Sequence, residues 1–171
     1  MNTAELLADA FGRIKDAVHQ AVDGLTPDEL AHRVDPAANT VGWLVWHLTR
    51  VQDDHVAEVA GRPQAWTEDG WDKAFGLPFD TADIGYGHSA DDVAAVRPAS
   101  ADVLTGYYDA VHERSLAFVG TLADADLDRV VDRRWNPPVT LGVRLVSVVN
   151  DDLQHAGQAA FLHGHLLRRR G

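Results

Sequence analysis

Apolar residues along this chain recur at alternating steps of three and four in four long stretches, the periodicity of helices that each turn one face to a core. Leu7, Phe11, Ile14, Val18, Ala21 and Leu25 mark a first helix from about Thr3 to Leu25. A second runs from a cap at Thr40 to about Ala60, with Leu44, Leu48, Val51, His55 and Val59 on its seam and Gly61 and Pro63 closing it. Leu104, Tyr108, Val111, Ser115, Phe118 and Leu122 define a third between Ser100 and Leu122. The last begins near Thr140 and carries Leu141, Leu145, Val148, Ala159, Leu162 and Leu166. Thr26-Pro27-Asp28-Glu29 reads as a cap, a proline at the first position and a glutamate at the third, opening one short turn. No convincing strand pattern or internal repeat accompanies these stretches. The expected architecture is therefore all-α, a four-helix bundle, with residues 1–171 forming one domain.

Residues 62–99 interrupt the pattern. Glycines and prolines punctuate this segment, yet it holds Trp66, Trp71, Phe75, Phe79 and Tyr86. Aromatic content of that kind argues against disorder, and so long a connection in a compact domain is usually functional or separately packed. Ser89-Ala90-Asp91-Asp92 is positioned to cap a short helix within it.

The last helix breaks its own rule. Asp151, Asp152 and His155 interrupt its core-facing stripe, and Asp151 and His155 stand four residues apart on one face. Charged groups there are costly to bury unless something pairs with them. A divalent metal would do so, with His47 of the second helix as a third ligand. Taken alone, His47 reads rather as a packed histidine bonded to a backbone carbonyl. His19 and His32 read as solvated.

A formal charge of −11 argues against broad binding to nucleic acid or anionic membrane, and no run of about 18 apolar residues spans a bilayer. Arg168-Arg169-Arg170, the one basic cluster, suits the C-terminal end of a helix dipole. The first residues lack the basic-then-apolar order of a signal peptide, so the expected location is cytoplasmic. The chain has no cysteine. Thiolate ligands, disulfides and a cysteine nucleophile are excluded, and any thiol chemistry must use a thiol from outside.

Thr40-Val41-Gly42-Trp43-Leu44-Val45-Trp46-His47-Leu48, joined with Asp151-x3-His155-x-Gly157-Gln158, resembles the DinB/YfiT-like superfamily. The similarity extends over nearly the whole chain, including the long connection between helices two and three. It points towards actinobacterial members, mycothiol-dependent S-transferases and maleylpyruvate isomerases. The resemblance implies a four-helix bundle holding a divalent metal through one histidine on helix two and two residues spaced four apart on the last helix. Those positions fall on His47, Asp151 and His155. The commonest pattern has histidine where Asp151 stands, which makes Asp152 a competitor for that role. Zinc suits two histidines and a carboxylate, while nickel, iron or manganese would accept the same donors.

The resemblance further implies a thiol S-transferase, or a thiol-dependent isomerase, that uses mycothiol on a small electrophile. Asp54, seven residues beyond His47, could orient a ligand or act as base, or could be a solvated surface acid. A metal-dependent hydrolase and a non-catalytic, stress-related binding or dimerisation module are the alternatives. Superfamily members often pair through their helices, so a homodimer is expected.

Overall fold

A computed structural model describes residues 1–170, and among these helices dominate. α1 (Thr3–Val22) starts in a capping box between Asn2 and Glu5. It ends earlier than its apolar stripe suggests, because Gly24 at φ +65° turns the chain while Leu25 still packs into the core. α2 (Pro27–Leu30) is the short turn opened by the reciprocal Thr26–Glu29 cap. α3 (Val41–Ala60) is capped by Thr40 and closed by Gly61 in the left-handed conformation.

The long connection carries three short helices, α4 (Ala65–Glu68), α5 (Trp71–Phe75) and α6 (Ala90–Ala95), the last begun by a Ser89–Asp92 capping box. α7 (Ala101–Val119) stops at Gly120, short of Leu122. A 3-10 turn, Asp124–Asp128, leads into a small antiparallel pair that the periodicity did not announce. Its strands are β1 (Val130–Asp132) and β2 (Val139–Thr140). Strands this short leave almost no alternation to read. α8 (Leu141–Arg169) follows directly, its first turn capped by Thr140.

The four long helices enclose one core, with α1 and α3 each packed between α7 and α8. Thr3 bonds Asp124 beside the start of α8, while His163 and Arg170 near its end reach the carbonyls of Asp23 and Gly24. α1 and α8 therefore run the same way. α3 runs against α8, placing Trp43 beside His155 and His55 beside Arg144. All six residues of the apolar stripe on α8 are buried. Arg170 pairs with Glu29, and Arg169 donates to His32, so this basic cluster ties α8 to the α1–α3 connection as well as complementing its dipole.

α3 is buried on nearly every face through its first three turns, because the aromatic connection covers the side that α7 and α8 leave open. Its inward polar groups hold that cover down. Asp53 accepts from the backbone N–H of Ala65 and Trp66 at 3.0 and 2.8 Å and from the Tyr107 hydroxyl at 2.9 Å. Three donors to one carboxylate offset much of the cost of burying it.

Candidate metal centre

His47 on α3 and Asp151 and His155 on α8 bring one ligand atom each to a common point, all within 4.8 Å of one another. Antiparallel packing of α3 against α8 makes this possible. The four-residue spacing stacks Asp151 and His155 one helical turn apart, and α3 delivers His47 opposite them. The His47 and His155 rings meet edge to face with centroids 4.8 Å apart. Nε2 of His155 lies 3.7 Å from Oδ1 of Asp151, a close approach rather than a hydrogen bond.

Each imidazole has its other nitrogen engaged. Nδ1 of His47 donates to the Ile84 carbonyl, and Nδ1 of His155 donates to Oε1 of Gln158 at 3.2 Å. Both partners are oxygen acceptors, so both Nδ1 atoms carry the proton, and Nε2 is the ligating atom of each ring in its neutral form. Trp43 lies flat on His47, centroids 4.6 Å apart and 14° from parallel. Burial pushes the His47 pKa below its ordinary value, and nearby His155 adds to this, against the Ile84 bond and the charge of Asp151. A neutral imidazole is the form that ligates.

The donor set fits a divalent ion. Oδ2 of Asp151 is buried without a hydrogen-bond partner, which leaves a carboxylate oxygen uncompensated unless a cation meets it. Ligands at bond lengths of about 2.0–2.2 Å around a tetrahedral ion stand roughly 3.4 Å apart, so modest side-chain rotations close the cluster.

Asp152, the other candidate carboxylate, points elsewhere. It is 0% exposed, sits in the core, and neither of its oxygens has a partner. Burial, and then the charge of Asp151, push its pKa well above its ordinary value, which favours the neutral acid. One residue on a helix is a rotation of about 100°, enough to separate these two aspartates. Asp54 also stays out of the cluster. Its Oδ1 accepts from Gln64 at 2.8 Å and its Oδ2 lies 3.4 Å from Nδ1 of His55.

A cleft of about 450 Å³ opens over the donors, with His47 and Asp151 in its lining. Val51, Ile84 and Ser147 add to its walls, and Tyr86 and Trp135, both largely exposed, flank it. Its charged groups are linked to one another. Arg144 donates to Oδ2 of Asp132 at 3.2 Å and to Nδ1 of His55 at 3.0 Å, and Arg134 grips the same carboxylate through two nitrogens. The Arg134 hydrogen bonds, with both guanidinium charges, hold Asp132 far below the usual carboxylate range. Burial and then the Arg144 charge lower the His55 pKa, so this ring is neutral with its proton on Nε2. A second cavity of about 270 Å³, between α3 and α7, includes none of the three donors.

Periodicity placed His55 on the core seam of its helix, whereas it lines the cleft. Arg144, Asp132 and Trp135 were not singled out. Their one signal is the Arg133-Arg134-Trp135 run just before the last helix, a charged and aromatic cluster where a loop meets a helix start. His19, expected in solvent, is half-buried and bonded to Asp109.

The family described as Mycothiol-S-transferase matches residues 6–166. No curated protein matches the chain. A solved structure, described as a conserved protein from Enterococcus faecalis, superposes with a TM-score of 0.88 at 27% sequence identity, covering 95% of this chain and 96% of that one. Among the described residues no helix is long and apolar enough to cross a membrane.

Proposed function

Because the chain belongs to the mycothiol-S-transferase family, we propose that it joins a low-molecular-weight thiol such as mycothiol to a small electrophile, at a divalent metal held by His47, Asp151 and His155. The frame for this site is a four-helix bundle formed by α1, α3, α7 and α8. Zinc is the favoured ion, since two imidazoles and one carboxylate leave a tetrahedral position open. When bound, such an ion supplies Lewis acidity and favours the thiolate form of an incoming thiol. The sulfur then forms a bond to the electrophilic carbon, the thiol proton passes to solvent, and the leaving group departs with its bonding electrons.

The observation that carries this reading is the convergence of three donors, two of them lining an open cleft, in a chain with no cysteine of its own. The remaining tasks fall to the cleft. Neutral His55, fixed by Arg144, keeps an Nε2–H for a hydrogen bond to a bound oxygen. Arg134 and Asp132 offer polar partners, and Trp135 offers a flat apolar surface to the body of the thiol or its acceptor. Such chemistry suits the cytoplasm, where thiols are kept reduced. The apolar residues that α8 leaves exposed support pairing as a homodimer.

The test is conjugation of mycothiol to a chromogenic haloarene, followed with zinc present and after chelation. Product formation that requires both thiol and metal is expected. Metal-dependent consumption of an ester or amide without thiol would instead indicate a hydrolase. An intact fold without metal, and no turnover with it, would indicate a binding module.

A further inference from the structure

The long connection returns over α3 between Thr81 and His88, and its hydrogen bonds there form a closed chain. Arg50, 0% exposed, donates from Nη2 to the Thr81 carbonyl and from Nε to the Asp83 carbonyl, both at 3.2 Å. Oδ1 of Asp83 accepts from the Gly85 N–H at 2.7 Å, and Oδ2 accepts from Nε2 of His88 at 3.1 Å. Nδ1 of His88 in turn accepts from the indole N–H of Trp43 at 3.1 Å. An indole nitrogen can only donate, so these partners fix one neutral tautomer of His88, protonated on Nε2. The ring is packed between Trp46, at 5.7 Å between centroids, and Phe79, at 4.6 Å.

Gly85 lies at the closest pass. Its φ is +90°, and a Cβ there would stand 2.8 Å from Nδ1 of His47 and 2.9 Å from the Trp46 ring. Neither ring can give way easily. His47 is held under Trp43, and Trp46 is buried. Glycine is therefore required both by conformation and by space.

We infer that Asp83–His88 is a strap that positions His47, buckled by the Trp43–His88–Asp83 hydrogen-bond chain and able to lie flat because residue 85 is glycine. This inference rests on the metal site proposed above. Its consequence is that the Ile84 carbonyl meets Nδ1 of His47 and turns Nε2 towards Asp151 and His155. The orienting acceptor of a ligating histidine governs its tautomer and its basicity, and losing one typically costs about 10- to 100-fold in metal affinity. Arg50, Asp83, Gly85 and His88 are thus positioning residues, acting through His47.

The experiment uses untagged full-length protein and zinc alone. Zinc affinity is measured by competition with a chromophoric chelator, and the His47 tautomer is read from imidazole 15N shifts without metal. Asp83→Ala removes both side-chain bonds of Asp83, to Gly85 and to His88, while Asp83→Asn keeps an acceptor for Gly85 and loses the one for His88. Gly85→Ala tests the close pass. Asp83→Ala and Gly85→Ala should bind zinc about 10- to 100-fold more weakly, with Asp83→Asn between them and wild type. In the weakened variants His47 should lose its uniform Nδ1–H signature. Should Gly85→Ala fail to fold, the aspartate pair still decides. Variants with wild-type affinity and an unchanged His47 tautomer would overturn the strap, even if they melt earlier. Failure of wild type to bind zinc would count against the metal site, and the tautomer readout would then judge the strap alone.

Discussion

Gln158 holds His155 from one turn further along α8, its amide oxygen accepting from Nδ1 at 3.2 Å. The bond costs the helix nothing, since i and i+3 side chains already face each other. Gln158 is otherwise exposed, so little stability depends on it. Gln158→Leu should leave the fold intact and weaken zinc binding about 10- to 100-fold by freeing the His155 ring. Chelator competition, alongside an unchanged thermal melt without metal, checks both halves.

The two aspartates should separate cleanly. Asp151→Asn removes a ligand charge and should abolish tight zinc binding. Asp152→Asn should bind zinc as wild type does, because that carboxyl lies buried in the core, outside the donor cluster. The pH dependence has a definite sign. The folded-state pKa of Asp152 is raised above its ordinary 3.8, so the unfolded chain ionises it more readily than the folded chain does. Its contribution to stability is full below about pH 3.8 and is lost as pH rises towards the folded pKa. Asp152→Asn should therefore match or exceed wild-type stability at pH 7.5, and lose that advantage near pH 3.8. Urea unfolding at the two pH values measures the difference.

Trp135 is 67% exposed at the edge of the cleft, a large apolar surface left in water without a packing role. Trp135→Ala should raise KM for the thiol or its acceptor about tenfold, or ~1.4 kcal/mol. Zinc affinity and thermal stability should not change. Steady-state kinetics with each substrate varied in turn identifies which one the indole holds.

Dimerisation has its own test. Val143, Val146, Leu153 and Phe161 leave a broken apolar line exposed along α8. Phe161→Glu should convert the expected homodimer to monomer with little change in melting, as measured by light scattering. A monomeric wild type would remove that assembly from the account.

Helix content was legible because the core positions of α1, α3, α7 and α8 repeat over several turns each. Leu141, Leu145, Val148, Ala159, Leu162 and Leu166 are all buried where the periodicity put them. Helix ends were less so, since Leu25 continues the apolar pattern beyond the turn at Gly24. Spacing on one helix places Asp151 and His155 together, whereas pairing them with His47 depends on how α3 crosses α8. No local pattern encodes that crossing; the chain offers His47 as a candidate third donor, and the family resemblance is what ties it to this pair. The Ile84 carbonyl and the Trp43–His88–Asp83 chain were invisible for a different reason. A backbone acceptor has no residue type, and His88 lies in a connection whose path follows no period. The choice between Asp151 and Asp152 also had to await the rotation of α8, because adjacent acids are equivalent until one face is known to be core.

Metal binding by His47, Asp151 and His155 underlies every role proposed for the cleft. The most direct measurement is the zinc-dependent shift in melting temperature of untagged wild type beside His155→Ala. Binding to the folded state alone adds about 2.7 kcal/mol when free zinc stands about a hundredfold above Kd. For a chain of this size that is about 5–10 °C. A metal held by these three residues should give a rise of that order in wild type and almost none in His155→Ala, with both proteins folded. Equal shifts in the two, or no shift in wild type, would contradict it.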